Sequence, residues 1–423
     1  MLRLAYTLLW CLALPAALAR LYWRGRREPG YRQHLAERFG RYHDTGDFTA
    51  AWWIHAVSVG ETRAAEPIVQ ALLGRDPDAR VLLTQMTPTG RRTAQALYAR
   101  CGERVRIAYL PYDLPFLANR FLRHFQPRIG MLMETEVWPN LIHAAHQAGT
   151  PLALVNARMS ERSARRYARL GGFARQTFSE LAGVAAQTGD DARRLADLGA
   201  RGPVVSGSVK FDVSVPEESR VIRDGLRDRI GERPVVLAAS TREGEEMSLV
   251  TAFLAAAPAA ALLVVVPRHP QRFDEVAGWL AARQIPSQRR SAPEPVAPAT
   301  RVLLGDSMGE MFAYYALADV SIIGGSWQPL GGQNLLEACA VGTPSIVGPH
   351  TFNFAEISAH AIKAGATLRA ADAGDAVAKA LALIDDDAHR QRMGAAGLAF
   401  CAAHRGATQR TLDILDQLTG AAH

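Results

Sequence analysis

Residues 51–87 read AWWIHAVSVGETRAAEPIVQALLGRDPDARVLLTQMT. Two short apolar runs, Ala51–His55 and Val81–Gln85, flank an amphipathic helical stretch, Thr62–Leu73. Continuous apolar strands joined by helices make a parallel sheet with both faces covered.

The same alternation continues outward. Strands are expected at Ile107–Leu110, Ile129–Met133, Leu152–Asn156, Val184–Gln187 and Val204–Ser206. A second series is expected at Val235–Ala239, Leu262–Val266, Val302–Leu304, Val320–Ile323 and Ser345–Val347, with a helix such as Met247–Ala256 between them. The rhythm breaks at Ser206–Ser219, SGSVKFDVSVPEES, which is turn-rich and reads as a linker. The expected fold is therefore α/β, with two doubly wound, Rossmann-like domains facing a cleft. The division places an N-terminal membrane-associated segment at 1–30, a first domain at 31–205, a linker at 206–220, a second domain at 221–400 and a segment at 401–423 that packs back on the first domain. The Pro/Ala-rich stretch Ser287–Thr300 reads as a surface loop, and roughly Ala371 to Leu418 as one long, interrupted helix. In such sheets ligands bind beyond the carboxyl ends of the strands.

A chain of 423 residues is too long for one ordinary core. With 48% hydrophobic and 21% charged residues it is globular rather than disordered. Cys11, Cys101, Cys339 and Cys401 show no paired spacing, which fits a reducing compartment and neither a zinc site nor a disulfide framework. The net charge of +7 favours acidic partners. No zinc finger, RNP-like aromatic stretch or Lys-rich tail supports nucleic acid as that partner. The only lysines are Lys210, Lys363 and Lys379, and Lys210 stands out because it follows Gly207 in the turn-rich stretch.

Leu4–Ala19 is an apolar run, preceded by Arg3 and followed by Arg20, Arg24, Arg26 and Arg27. It reads as a membrane anchor, a buried helix or a cleaved signal ending at Ala17-Leu18-Ala19. Sixteen residues of helix reach roughly 24 Å, short of a ~30 Å hydrocarbon core. The arginines decide for the anchor, because positive charge beside an apolar segment is retained in the cytoplasm. The rest of the chain then faces the cytoplasm.

Glu61 follows the first strand after Gly60, which is read as permitting a tight turn. It either stabilises its own helix or takes a proton from an attacking hydroxyl. Glu134 and Glu136 follow the fourth strand in METEVWPN, with Glu134 emerging at the strand end. The fifth strand ends in Asn156-Ala157-Arg158, before a helix with Arg162, Arg165, Arg166 and Arg169. That helix is a solvated face or a surface for phosphate or anionic membrane. In the second series, Pro267 and Arg268 end a strand where an arginine fork suits an anion. Met308, Gly309 and Glu310 open a helix whose free N–H groups suit a base or ribose. The paired glycines Gly331 and Gly332 precede Asn334, Leu335, Leu336 and Glu337, a pattern that suits phosphate and ribose at a helix start. No GxGxxG or GxxxxGK[ST] motif occurs, which disfavours a dehydrogenase or ATPase. Without a His/Cys cluster of ligand spacing, no metal and no cofactor are expected. Arg268, Lys210 and helix dipoles would neutralise a donor phosphate.

SVGE at 58–61, MTPTG at 86–90, YLPYDLP at 109–115, METEVWPN at 133–140, NARMS at 156–160, GSVKFD at 207–212, VPRHPQRF at 266–273, GDSMGEM at 305–311, GGQNLLEA at 331–338 and GPHTFNF at 348–354 occur in that order. Together they resemble the 3-deoxy-D-manno-octulosonic acid (Kdo) transferases of Gram-negative bacteria. The resemblance runs from the N-terminal segment to about residue 415. It implies a GT-B-type glycosyltransferase on the cytoplasmic face of the inner membrane. The implied reaction moves Kdo from CMP-Kdo to the tetra-acylated lipid A precursor (lipid IVA), inverting and without metal. Glu61 would be the base, and Glu134 with Lys210 would stabilise the transition state. Pro267, Arg268, Met308 to Glu310 and Asn334 to Glu337 would hold CMP. The expected partners are CMP-Kdo, the lipid A precursor and inner-membrane phospholipid, with no nucleic acid. One departure is Arg242, where many relatives carry histidine before Glu243. The competing readings are a UDP-sugar transferase, an exported two-lobed solute-binding protein and a nucleic-acid-binding module.

Overall fold

β1 (Trp52–His55) buries Trp53, Ile54 and His55 completely. Successive strand side chains point to opposite faces, so a strand buried at neighbouring positions is covered on both sides. The computed structural model describes residues 2–26, 28–42 and 48–420. β1 pairs in parallel with β2 (Val81–Gln85) and with β4 (Ile129–Met133). Outside them lie β3 (Val105–Tyr109), β5 (Leu152–Ala157), β6 (Gly183–Ala186) and β7 (Val204–Val205). The sheet runs β3-β2-β1-β4-β5-β6-β7 and is parallel throughout.

The chain divides into two compact units, one formed by the residues through Asp212 with those from Arg405 onward, the other by Val213–His404. The second unit contains β8 (Val235–Thr241), β9 (Leu262–Pro267), β10 (Ser287–Arg289), β11 (Val302–Leu304), β12 (Val320–Ile323), β13 (Ser345–Val347) and β14 (Thr367–Arg369). Its parallel sheet runs β10-β11-β9-β8-β12-β13-β14.

Several expectations are corrected. Ser287–Thr300 is not all loop, because Ser287–Arg289 forms an edge strand. The opposite edge, Thr367–Arg369, was not expected as a strand at all. Both edges are three residues long and mostly polar, so neither shows an apolar run. The long C-terminal helix is three helices, Ala373–Asp385, Asp387–His404 and Ala407–Gly420. The stretch read as a linker is folded at both ends: Val209–Phe211 is a 3-10 turn in the first unit, and a helix runs from Glu218 to Ile230. Asp212 fastens that turn to the last helix. Its carboxylate accepts the N–H of Gly406 at 2.6 Å and that of Thr408. Ala407, Leu412 and Leu415 of the helix join the core on one face of the first sheet.

The N-terminal helix runs from Leu2 to Arg24, about 34 Å at the α-helical rise. It is longer than the apolar run and long and apolar enough to cross a membrane. It is also docked. Arg3, Tyr6, Thr7, Trp10, Leu14, Ala17, Leu18 and Leu21 are half-buried, at helical spacing, while the other side is exposed. Tyr6 donates to Asp113 at 2.8 Å, and Thr7 bonds Asn140. Trp10, Leu14, Leu18 and Leu21 pack on Tyr112, Leu114 and Leu117 of the same unit. Leu4, Leu8 and Leu12 are more than half exposed on the outer side. Of the flanking arginines, Arg27 lies outside the described residues.

The core of the first sheet has no spare room at Gly130 in β4. A Cβ there would sit 2.5 Å from Leu152 Cδ1 and 2.6 Å from Trp53 Cε3. Gly130→Ala is therefore expected to destabilise the first unit by about 1–3 kcal/mol, the usual cost of overpacking. Urea denaturation followed by tryptophan fluorescence reads this as a lower midpoint.

Candidate functional site

In the first sheet the chain winds outward from β1 through β2 to β3, then returns to β4 on the other side of β1. At such a reversal the connections leave toward opposite sides, and the carboxyl ends of the two central strands border a crevice. The segments leaving β1 and β4 carry Glu61 and Glu134.

Ser58 is the N-cap of a short helix, Val59–Ala64. Its Oγ accepts the Glu61 N–H at 3.3 Å and donates to Glu61 Oε1 at 3.0 Å, while Glu61 Oε2 accepts the Val57 N–H at 2.8 Å. This reciprocal capping fixes the carboxylate. The helix starts before Glu61 and Gly60 lies inside it, so no tight turn is required there. A Cβ on Gly60 would meet nothing nearer than Ser58 Oγ at 3.8 Å. Burial pushes the Glu61 carboxyl up to about 7, and the charges of Glu136 and Glu134 add to the rise. The Val57 and Ser58 hydrogen bonds oppose it. A carboxyl poised there exchanges a proton near neutral pH, which suits a general base.

Glu134 leaves β4 with a left-handed backbone, φ 55°, which is uncommon for glutamate. Its Oε1 lies 2.7 Å from Lys210 Nζ. Lys210 rides on the Val209–Phe211 turn, so it belongs to the folded first unit and not to a linker. Glu136 accepts the indole N–H of Trp138 at 2.9 Å, and burial raises its carboxyl above the usual range. The Trp138 ring stands edge-on to His55, whose complete burial holds it neutral, down to about 3. Beyond β5, the Glu161–Ala168 helix and Arg169 line a pocket of ≈ 430 Å³ with Glu161, Arg162, Arg165, Arg166 and Arg169. Four guanidinium groups border it, of which Arg165 is paired with Glu161.

In the second unit the expected residues also lie at strand ends. Pro267 is the last residue of β9, and the Arg268 N–H donates to Thr241 O at 2.9 Å, tying together the ends of β9 and β8. The loop after β11 carries Met308, which is exposed, and Gly309, whose φ of 83° and open surroundings leave backbone accessible. Glu310 accepts from Arg290 at 3.1 Å and from Ser307 at 2.5 Å. Gly331 and Gly332 both have positive φ, but the following helix begins only at Leu336. Asn334 Oδ1 accepts the Leu336 N–H at 3.1 Å, and its Nδ2 lies 3.4 Å from Glu337 Oε1. The Leu335 and Leu336 side chains are fully buried, so a ligand meets only their backbone.

Three contributors escaped the sequence reading. Ser58 is the partner of Glu61 and carries the S-x-x-E spacing that signals a capping box. Asn156 contacts Glu134 at 3.4 Å. Glu245, fully buried, accepts the N–H groups of Gly325 at 2.7 Å, Trp327 at 3.1 Å and Arg242 at 2.9 Å, joining the loops after β8 and β12. Asn156 stands in the NARMS stretch, but nothing in that stretch announces its partners Glu134 and Val209. Among the described residues, no group of three or more His, Cys, Asp or Glu is placed to hold a metal ion.

Residues 33–213 match the family described as 3-Deoxy-D-manno-octulosonic-acid transferase (kdotransferase), and residues 287–399 match glycosyl transferases group 1. The chain is 49% identical over 420 residues to the 3-deoxy-D-manno-octulosonic acid transferase of Bordetella pertussis, covering 95% of this chain and 97% of that one. It is 38% identical to the enzyme of the same name from Haemophilus influenzae, covering 98% of each. The solved UDP-GlcNAc 2-epimerase of Neisseria meningitidis superposes with a TM-score of 0.56 over 86% of this chain and 99% of that one. At 13% identity that likeness shows the fold alone.

The raised carboxyl gives a direct expectation. Infrared titration should show a carboxyl band that ionises near pH 7 and is missing in Glu61→Gln. Glu134→Gln should move that midpoint down, because a like charge that disfavours ionisation of Glu61 is gone.

Proposed function

The chain belongs to the 3-deoxy-D-manno-octulosonic-acid transferase family and is a glycosyltransferase, and on that premise we propose that it moves Kdo from CMP-Kdo to the tetra-acylated lipid A precursor, with inversion and without a metal. The observation that carries the reading is Glu61. It is a half-buried carboxyl lifted to about 7, fixed at the strand reversal near Glu134 and Lys210.

In the proposed reaction an acceptor hydroxyl attacks the anomeric carbon of Kdo, and the bond from that carbon to the CMP phosphate oxygen breaks. Glu61 takes the hydroxyl proton, and CMP leaves with the bonding electron pair. A single displacement on the face opposite the leaving group inverts the centre. Negative charge grows on the departing phosphate, and a cation stabilises it there. Glu134 holds Lys210 in place through their 2.7 Å contact. Pro267, Arg268, the Met308–Glu310 backbone, Asn334, Glu337 and the backbone at Leu335 and Leu336 are assigned to CMP. Arg162, Arg165, Arg166 and Arg169 are assigned to the acceptor phosphates, for which guanidinium is the better-matched cation.

The docked N-terminal helix supports an arrangement in the cytoplasmic face of the inner membrane. A helix bound along its length to a polar domain does not cross the bilayer. It lies in the interface with its free apolar side in lipid and the arginines among headgroups. Leu4, Leu8 and Leu12 form that free side.

Purified protein incubated with CMP-Kdo and the lipid precursor in excess EDTA should yield a product heavier by Kdo in mass spectrometry. Glu61→Gln should lower the rate by about 10²–10⁴, the range for loss of a general base. Transfer from a UDP-sugar instead, dependence on added magnesium, or near-normal turnover in Glu61→Gln would each refute the corresponding part of the assignment. For the membrane, Leu4→Gln, Leu8→Gln and Leu12→Gln together leave the docking side intact. Each leucine contributes about 1.5–3 kcal/mol when buried. The triple variant should leave the membrane pellet in a high-salt wash that wild type survives, and retention would place the anchor elsewhere.

A further inference from the structure

β5 and β4 end side by side in the same unusual way. Asn156 has φ 50° and Glu134 φ 55°. Asparagine enters the left-handed region several-fold more often than most residues, and strain of this kind gathers where the surroundings over-determine a position. The register between β5 and β6 slips between Leu154 and Ala157, so the ladder is irregular around Asn156.

Asn156 is fully buried, and its polar groups are placed on three segments. Its Oδ1 accepts the Val209 N–H at 3.2 Å. Its Nδ2 lies 3.4 Å from Glu134 Oε1, the same oxygen that pairs with Lys210 Nζ at 2.7 Å. Its backbone carbonyl accepts Gln187 Nε2 at 2.9 Å. Val209 is the first residue of the turn that carries Lys210, and its own side chain is buried in the core. A single amide therefore touches both halves of the ion pair, Glu134 directly and Lys210 through the backbone of its turn.

We propose that Asn156 is a positioning residue for sugar transfer, holding Lys210 and Glu134 in register with one another. The inference rests on the reading of Glu61, Glu134 and Lys210 given above. An amide does both tasks at once. It supplies an acceptor for Val209 and a donor for the carboxylate, and it adds no charge to a region that already holds Glu61, Glu134 and Glu136.

Two variants separate the side chain from the backbone. Asn156→Gly keeps the left-handed conformation at no steric cost. It should melt below wild type, because the buried Val209 N–H loses its acceptor, but stay folded, and kcat should fall by about tenfold to a hundredfold at unchanged KM for CMP-Kdo, as when a catalytic group is slightly misplaced. With Lys210 less firmly held, Glu134 is less neutralised, and the Glu61 infrared midpoint should rise. Asn156→Asp keeps the acceptor for Val209 but sets a second carboxylate against Glu134. The Glu61 midpoint and the acid limb of kcat/KM should both move to higher pH, as an added negative charge requires, so Asn156→Gly, which adds none, is the deciding variant. Wild-type kcat in Asn156→Gly overturns the proposal, as does a Glu61 midpoint unmoved in that variant. Because the infrared titration needs no donor, a wild type that transfers no Kdo rejects the reaction assignment while the Asn156 inference is still decided by the midpoints.

Discussion

Where β1 and β4 lie adjacent, the order of the first sheet reverses, and a parallel sheet covered on both faces opens to ligands at the carboxyl ends of such strands. That constraint governs the rest of the first unit. Glu61 leaves β1, Glu134 leaves β4, and the turn with Lys210 comes back from beyond β7 to meet Glu134. The carboxylates then share a partly desolvated region, which lifts Glu61 into the range where a proton moves readily at neutral pH. Asp212 closes the arrangement by fastening the Lys210 turn to the last helix.

The second unit repeats the principle with different chemistry. Its order reverses between β8 and β12, and Glu245 bridges the loops that follow those strands. Three backbone N–H groups on one buried carboxylate hold Arg242, Gly325 and Trp327 in a fixed relation. The unit thus offers backbone at Gly309, Leu335 and Leu336 and a cation at Arg268, a set suited to a nucleotide. In the first unit the chemistry is carboxylate and cation, suited to proton transfer and charge stabilisation.

The parallel architecture was legible because its central strands are continuous apolar runs. The edges were not, since Ser287–Arg289 and Thr367–Arg369 gain their strand character from a neighbour and not from their own composition. Glu134 could be picked out because it stands directly after a buried strand, and Glu61 because it opens the helical segment that follows one. The roles proposed for them come from the family resemblance and not from spacing. Gly60 misled, because a glycine after a strand suggests a turn where the chain had already begun a helix. Asn156 was invisible as a functional residue because its main partners, Val209 and Glu134, lie 53 and 22 positions away. The apolar N-terminal run was legible as a run, but the stripe of Tyr6, Thr7 and Trp10 that docks it on the domain shows only in the folded chain.

The central claim is that transfer waits on the unprotonated form of Glu61. The single-turnover rate with saturating CMP-Kdo and lipid precursor, followed across pH, tests it most directly. Below about 7 the rate should fall close to tenfold per pH unit, because only the carboxylate accepts the hydroxyl proton. A rate that stays level from neutral pH down through the ordinary range of an exposed glutamate would contradict the account.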